Sequence, residues 1–279
     1  MDGMIMKWQA MSICWATGSF PLPKQCIRIL RYDFFSVLLI SVLFFSTSLS
    51  NAGEKSLPFS IGEEIKYTVS WEMVRAGEAS FKILPFTKIN GEKAYHFKLE
   101  VKSNRYIDML YKIRDRHEGF TDYEVTQSFL YKKTQSGKDR RQVKVRFDWE
   151  DKTATYSNFG NKRDPITIPL NTFDPISTFY KMRTLNFKTD QDLSFPVTDG
   201  KKCFTQKGKV VKREKITVSS GTFDTYQLDV QVDHFSGVFK KSENPTVKLW
   251  VTADGRKIPV RIKVKVFIGS VIFDLVSVN

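Results

Sequence analysis

An alternation of apolar and polar residues with a period of two runs through most of this chain and restricts it to half-buried β-strands. Ile65, Tyr67, Val69 and Trp71 alternate with Glu64, Lys66, Thr68 and Ser70, the pattern of a strand with one dry face and one wet face. The same period returns at Tyr95, Phe97, Leu99 and Val101, at Val143, Val145, Phe147 and Trp149, and at Tyr226, Leu228, Val230 and Val232. It returns again from Val260 to Ile268 and from Val271 to Leu275. Between these runs stand Asn90-Gly91, Ser136-Gly137, Asp164-Pro165, Asp199-Gly200, Ser220-Gly221 and Asp254-Gly255; Asn-Gly and Asp-Gly favour the positive-φ turns that close tight hairpins. The expected fold is mainly β, a curved antiparallel sheet forming a sandwich or a partly open barrel.

One segment departs from this period. Between Thr172 and Phe187, Asp174-Pro175 has the form of an N-cap followed by proline at the first helical position, and Ile176, Phe179, Tyr180, Met182 and Arg183 follow at helical spacing. One short central helix is expected there. It is the natural midpoint of a single β-rich domain over 53–279, with two lobes divided near 172–187 as the alternative.

The N-terminal region carries a different signal. Arg28 and Arg31 precede an apolar run from Phe34 to Leu49 that ends at Ser50-Asn51-Ala52, the charged, apolar and small-residue order of an export signal. Residues 1–52 are read as a signal peptide with an over-long N-terminus, as a start placed too far upstream would give. About 16 apolar residues are fewer than the ~20 of a spanning helix, so cleavage near Ala52 is expected, with an uncleaved N-terminal anchor as the alternative. No cysteine follows the run closely enough for a lipid anchor. The mature chain is expected to be periplasmic or secreted.

Stability must come from burial and sheet hydrogen bonds, since Cys203 is the only cysteine beyond residue 52 and cannot form an internal disulfide. Net charge is +14. In an envelope, that excess suits lipid headgroups, lipopolysaccharide phosphates or acidic glycans rather than nucleic acid, and permits peripheral membrane contact through a basic surface. It is equally what solvent-facing Lys and Arg on half-buried strands produce.

Catalytic signatures are sparse. His96, His117 and His234 lie at no metal-binding spacing, and neither a metal nor another cofactor is expected. His117, in Arg114-Asp115-Arg116-His117-Glu118, reads as part of a solvated strand edge or turn cluster. Cys203 follows a turn with no paired histidine nearby and reads as a structural thiol. No Gly-x-Ser-x-Gly elbow or phosphate-cradling glycine loop is present. The aromatic side chains, among them 23 Phe and 10 Tyr, fall mostly on the apolar strand faces. There they suit either a concave site for a lipid-like ligand or an ordinary packed core.

Several segments in order carry a family resemblance. Phe59-Ser60-Ile61-Gly62-Glu63-Glu64-Ile65-Lys66-Tyr67 through Trp71, then Ala76-Gly77-Glu78-Ala79, Asp174-Pro175-Ile176-Ser177 with Tyr180 and Arg183, Gly221-Thr222-Phe223, and Leu249-Trp250 through Val260 resemble the bacterial envelope family called Domain of Unknown Function 3108. The resemblance implies a secreted or periplasmic β protein and supplies no catalytic residue. Trp71, Tyr180, Arg183 and Trp250 are the ligand-site candidates, with Arg183 also a partner for a carboxylate. The leading expectation is non-enzymatic binding of a lipid, glycolipid or other amphiphilic envelope component. A structural or adaptor module contacting an envelope protein is the alternative, and an envelope hydrolase the second.

Overall fold

The computed structural model describes residues 57–136, 140–231, 246–266 and 269–279; the expected signal peptide, His234 and Val232 lie outside them. Residues 57–279 group as one compact unit. Fifteen strands follow in chain order: β1 Glu64–Trp71, β2 Val74–Ile89, β3 Glu92–Ser103, β4 Arg114–Thr121, β5 Ser128–Ser136, β6 Arg141–Asp148, β7 Thr153–Asn158, β8 Asn161–Lys162, β9 Ile166–Thr167, β10 Asp192–Thr198, β11 Cys203–Val218, β12 Gly221–Gln231, β13 Thr246–Thr252, β14 Pro259–Val266 and β15 Gly269–Val278. Two helices interrupt them, α1 Arg105–Asp108 after β3 and α2 Pro175–Arg183 after β9.

All the strands lie in one sheet, in the order β10-β11-β12-β13-β14-β15-β1-β2-β3-β4-β5-β6-β7-β8, with β9 on β7. Every named pairing is antiparallel. The sheet is mainly β, curved and unclosed, as the alternation predicts, and β10 and β8 are its two ends. β1 and β15 meet at its middle, Ile65 opposite Val278 and Trp71 opposite Val271.

The curve brings the β10 end of the sheet against β6 and β7, and among the described residues no strand pairing joins β10 to β8. Gly200, in the turn after β10, sits so close to Val145 and Tyr156 of β6 and β7 that an added Cβ would meet Val145 Cγ2 at 2.6 Å. Its φ of +81° is also one that glycine adopts without strain. Part of the free edge of β10 is occupied by the stretch leading into α2: Phe173 N–H donates to Pro196 O and Thr198 N–H donates to Phe173 O, both at 2.9 Å. Covering an edge in this way removes a template for intermolecular pairing.

α2 fills the concavity. Asp174 caps it and Pro175 opens it, as the sequence predicts. Ile176, Ser177, Tyr180, Met182 and Arg183 are buried. Tyr180 stacks on Phe97 with centroids 3.9 Å apart, and Phe179 stacks on Phe81 at 4.2 Å; such aromatic pairs stabilise beyond the area they bury. The main core contains β1 to β3, β5 to β7, α2 and parts of β11, β14 and β15, and a second cluster gathers Met182 and Phe187 with Leu193, Val210, Leu228, Leu249 and Val251. α2 therefore has a different apolar wall on each side.

Candidate functional site

The second wall is incompletely filled, and the reason is one missing side chain. Across the inner face of β10 to β13, Leu193 pairs with Gly208, Gly208 with Val230 and Val230 with Val247. Gly208 leaves a hole in that row. Between it and α2 lies a cavity of about 170 Å³ whose apolar walls include Phe179, Met182, Leu193, Phe195, Leu228 and Leu249, with Thr178, Gln206 and Lys207 its polar members. A dry apolar cavity of about 150 Å³ is enough to take a benzene-sized guest. The buried Oε1 of Gln206 has no hydrogen-bond partner, while its Nε2 donates to Gln231 O.

A second opening adjoins the first. Phe195–Gln206 and Val197–Phe204 are alternate pairs of the β10–β11 ladder, with Pro196–Thr205 between them; the first pair borders the apolar cavity, and Phe204 borders a cleft of about 320 Å³. Pro175 lines both. The cleft is also walled by His117, Tyr131, Lys133, Arg141, Asp199, Lys201 and Lys202, four cations against one carboxylate. Asp199 is turned towards the backbone, its Oδ1 accepting from Lys201 N–H at 2.9 Å. Lys201 rests over the Tyr156 ring with Nζ 4.9 Å from its centre. Burial lowers the Lys133 pKa, and nearby Asp115 opposes that shift.

His117 is a correction to the sequence reading. It belongs to neither a solvated edge nor a turn: it lies within β4, partly buried, with Nδ1 2.8 Å from the Tyr131 hydroxyl. Burial, with Lys133 as a second cause, lowers its pKa from 6.5 to about 3, so the imidazole is neutral over the physiological range. Burial also holds Tyr131 well above the ordinary tyrosine value. Among the described residues no serine, threonine or cysteine side chain is hydrogen-bonded to an imidazole. Nor does any group of three His, Cys, Asp or Glu among them have the arrangement to hold a metal ion.

The neutral histidine makes stability pH-dependent. An unfolded chain takes up this proton near pH 6.5 and the folded one only at about 3. The contribution is therefore complete above 6.5 and declines as pH falls towards 3. We expect a loss of about 1–2 kcal/mol at pH 5, read from urea midpoints at pH 7.5 and 5. His117→Gln should flatten that difference.

The buried floor of the site is the α2 cap. Asp174, fully buried, accepts from Ser128 Oγ at 2.7 Å, Ser177 Oγ at 2.5 Å, Ile176 N–H at 2.9 Å and Ser177 N–H at 3.0 Å. Burial raises its pKa, and these four hydrogen bonds pull against that rise. Gly119 of β4 lets the cluster lie against the sheet, since a Cβ there would stand 2.7 Å from Ser177 Oγ.

Of the four residues picked from sequence, two are brought together. Tyr180 and Arg183 are both fully buried on α2. Arg183 forms a two-pronged ion pair with Glu63, at 2.5 and 2.9 Å, and donates to Arg256 O at 3.1 Å. Trp71 is 39% exposed at the end of β1. Trp250 alternates with inward-facing Leu249 and Val251, and its Nε1–H donates to Glu214 Oε1 at 2.9 Å. None of the four lines the cavity or the cleft. Sequence reasoning noted Phe179, Met182 and Asp199-Gly200 but as helix and turn residues, and passed over Gly208, Tyr131, Lys133 and Lys201 because their convergence depends on register and sheet curvature.

Comparison with known proteins agrees with the fold. Residues 66–276 match the family model described as "Protein of unknown function (DUF3108)". The chain belongs to the DUF3108 family. No curated protein matches this DUF3108 chain in sequence. Among solved structures, it is similar to the crystal structure of a beta-barrel-like protein of Domain of Unknown Function DUF1849 from Brucella abortus, with a TM-score of 0.50 and 9% identity over 78% of this chain and 97% of that one. A hypothetical protein, CT021 from Chlamydia trachomatis, matches with a TM-score of 0.34 and 9% identity over 81% of this chain and 90% of that one. The first likeness extends the DUF3108 description to a barrel-like fold; it carries no activity.

Proposed function

We propose that this DUF3108 protein is an exported envelope protein that binds an anionic amphiphile without transforming it. The apolar end enters the cavity behind Gly208, and the charged head rests in the cleft beside Lys133 and Lys201. The observation that carries this reading is the adjacency of the two spaces, one almost wholly apolar and one rich in cations, with Pro175 bordering both. Small-molecule sites are commonly apolar with a few placed polar groups. The cavity's size favours the end of an acyl chain or a ring over a whole two-chain lipid. Export after cleavage near Ala52 is part of the same proposal and rests on the Phe34–Leu49 run.

Titration with linear carboxylates from hexanoate to laurate, followed by calorimetry, tests this. Affinity should rise with chain length and then level off as the cavity fills. Gly208→Leu should fill the hole and weaken binding by about tenfold or more, since burying a leucine-sized group contributes about 1.5–3 kcal/mol. The φ there is not left-handed, and an added Cβ would stand 3.2 Å from Asp229 O, so the paired strand must give by a few tenths of an ångström. Lys133→Met should weaken every chain length alike. A Gly208→Leu protein that folds and binds laurate as the parent does would remove the cavity from the proposal.

A further inference from the structure

We infer that the end of the sheet formed by the β1–β2 turn and the β3–β4 connection is a docking tip for an anionic lipid bilayer. The two loops are tied together: Asn104 N–H donates to Ala76 O at 2.8 Å and Asn104 Nδ2–H donates to Arg75 O at 2.5 Å. From this joint support a set of large apolar side chains projects into solvent. Met73 is 97% exposed, Met109 82%, Leu110 80%, Tyr106 79% and Val74 62%. Single exposed apolar residues are ordinary, but a contiguous group of this kind marks a surface that meets something else.

Charge selects the occupant. Arg75, Arg105 and Lys112 are exposed around the tip, and no ion pair is formed by them among the described residues. The two carboxylates of the same loops are engaged. Asp108 pairs with Arg114 at 2.6 Å, and Glu72 Oε1 accepts from Ser270 N–H at 2.5 Å. The tip thus presents methionine, leucine and valine beside three exposed cations, Arg75, Arg105 and Lys112, which outnumber Glu72, the one exposed carboxylate of the two loops. Tyr106 beside them has an apolar ring and a polar hydroxyl, a side chain suited to the headgroup level. Separate apolar knobs with a basic rim fit the boundary between lipid headgroups and acyl chains, where burial and attraction to anionic lipid act together. Neither the amphiphile site nor its residues are needed for this surface to work.

Co-sedimentation with vesicles is the test. Protein purified from cells expressing the full chain, with its N-terminal residue determined, is mixed with phosphatidylglycerol vesicles and, separately, phosphatidylcholine vesicles. It should partition onto the first and only weakly onto the second, with binding reduced as salt is raised. Met73→Glu and Leu110→Glu should each lower partition by on the order of tenfold, and Arg105→Gln with Lys112→Gln should remove the preference for anionic lipid. All these positions are exposed, so circular dichroism should show an unchanged fold. Failure to bind phosphatidylglycerol vesicles overturns the inference. So does binding that the Met73→Glu/Leu110→Glu double variant leaves unchanged, as insertion of a retained Phe34–Leu49 run would give. A dimer that dissociates in the same double variant, with no vesicle binding by either protein, would assign the tip to a second copy of the chain and likewise overturn it.

Discussion

Arg183→Met should destabilise the protein by about 3–5 kcal/mol, a large part of the stability of an ordinary domain. The arginine is the largest fully buried side chain among the described residues, and its partner Glu63 is itself only 11% exposed. The substitution would leave a withdrawn carboxylate without its counter-charge, together with the Arg256 carbonyl oxygen that the guanidinium now satisfies. It would also release three separate pieces of chain from one another: the end of α2, the stretch before β1 that contains Pro58 and Glu63, and the turn between β13 and β14. Urea unfolding gives the size of the loss. Glu63→Gln should cost less, because the amide oxygen still accepts from the guanidinium. Arg183→Met combined with Glu63→Leu should recover more than half of the loss, since apolar replacement of a buried pair removes the desolvation cost of both ions. A double variant no more stable than Arg183→Met alone would show that the contribution comes from the carbonyl contacts.

Asp174→Ala should cost a similar amount, about 3–4 kcal/mol, by a different route. It removes a helix cap, which contributes about 1 kcal/mol, and leaves two buried hydroxyls and two helix N–H groups without an acceptor, each an added penalty of about 1–3 kcal/mol before relaxation. Asp174→Asn keeps an oxygen for Ile176 and Ser177 N–H and should lose less than half as much. Because α2 forms one wall of both the apolar cavity and the cationic cleft, Asp174→Ala should also weaken amphiphile binding at temperatures where the protein remains folded. Calorimetric melting together with the carboxylate titration separates the two effects. An alanine variant with an unchanged melting temperature would mean that water replaces the carboxylate in this cluster.

Strand identity was legible wherever one face is buried. Ile65, Tyr67 and Val69, or Val143, Val145 and Phe147, alternate in sequence and in burial alike. The α2 cap was legible for the same local reason, since Asp174 and Pro175 act within their own turn. α1 was not: Arg105–Asp108 is one turn of helix whose cap, Asn104, is tied down by strand β2, and four residues carry too little periodicity to stand out. Turn chemistry was legible in part. Asn90 and Gly91 both take positive φ, but at Asp254-Gly255 the positive φ falls on Lys257 while Asp254 Oδ1 accepts from Arg256 and Lys257 N–H. The site itself was the least legible. Its charged members sit on β5, β6 and the β10–β11 turn, and only the curvature that brings Gly200 against Val145 makes them neighbours. Aromatic residues and the helix arginine drew attention for their size and charge, yet Tyr180 and Arg183 serve the core.

The pairing of β1 with β15 has a consequence for how the chain reaches this state. Glu64 and Asn279 exchange backbone hydrogen bonds at 3.1 and 3.0 Å, so the first of the described strands is completed on one side only by the last of them. Pairings this distant in sequence close slowly because the whole intervening loop must be ordered first. Until residues 269–278 are in place, β1 and β14 each offer an unpaired edge, a template for intermolecular pairing. Truncation of that final strand would not trim a tail; it would unzip the middle of the sheet.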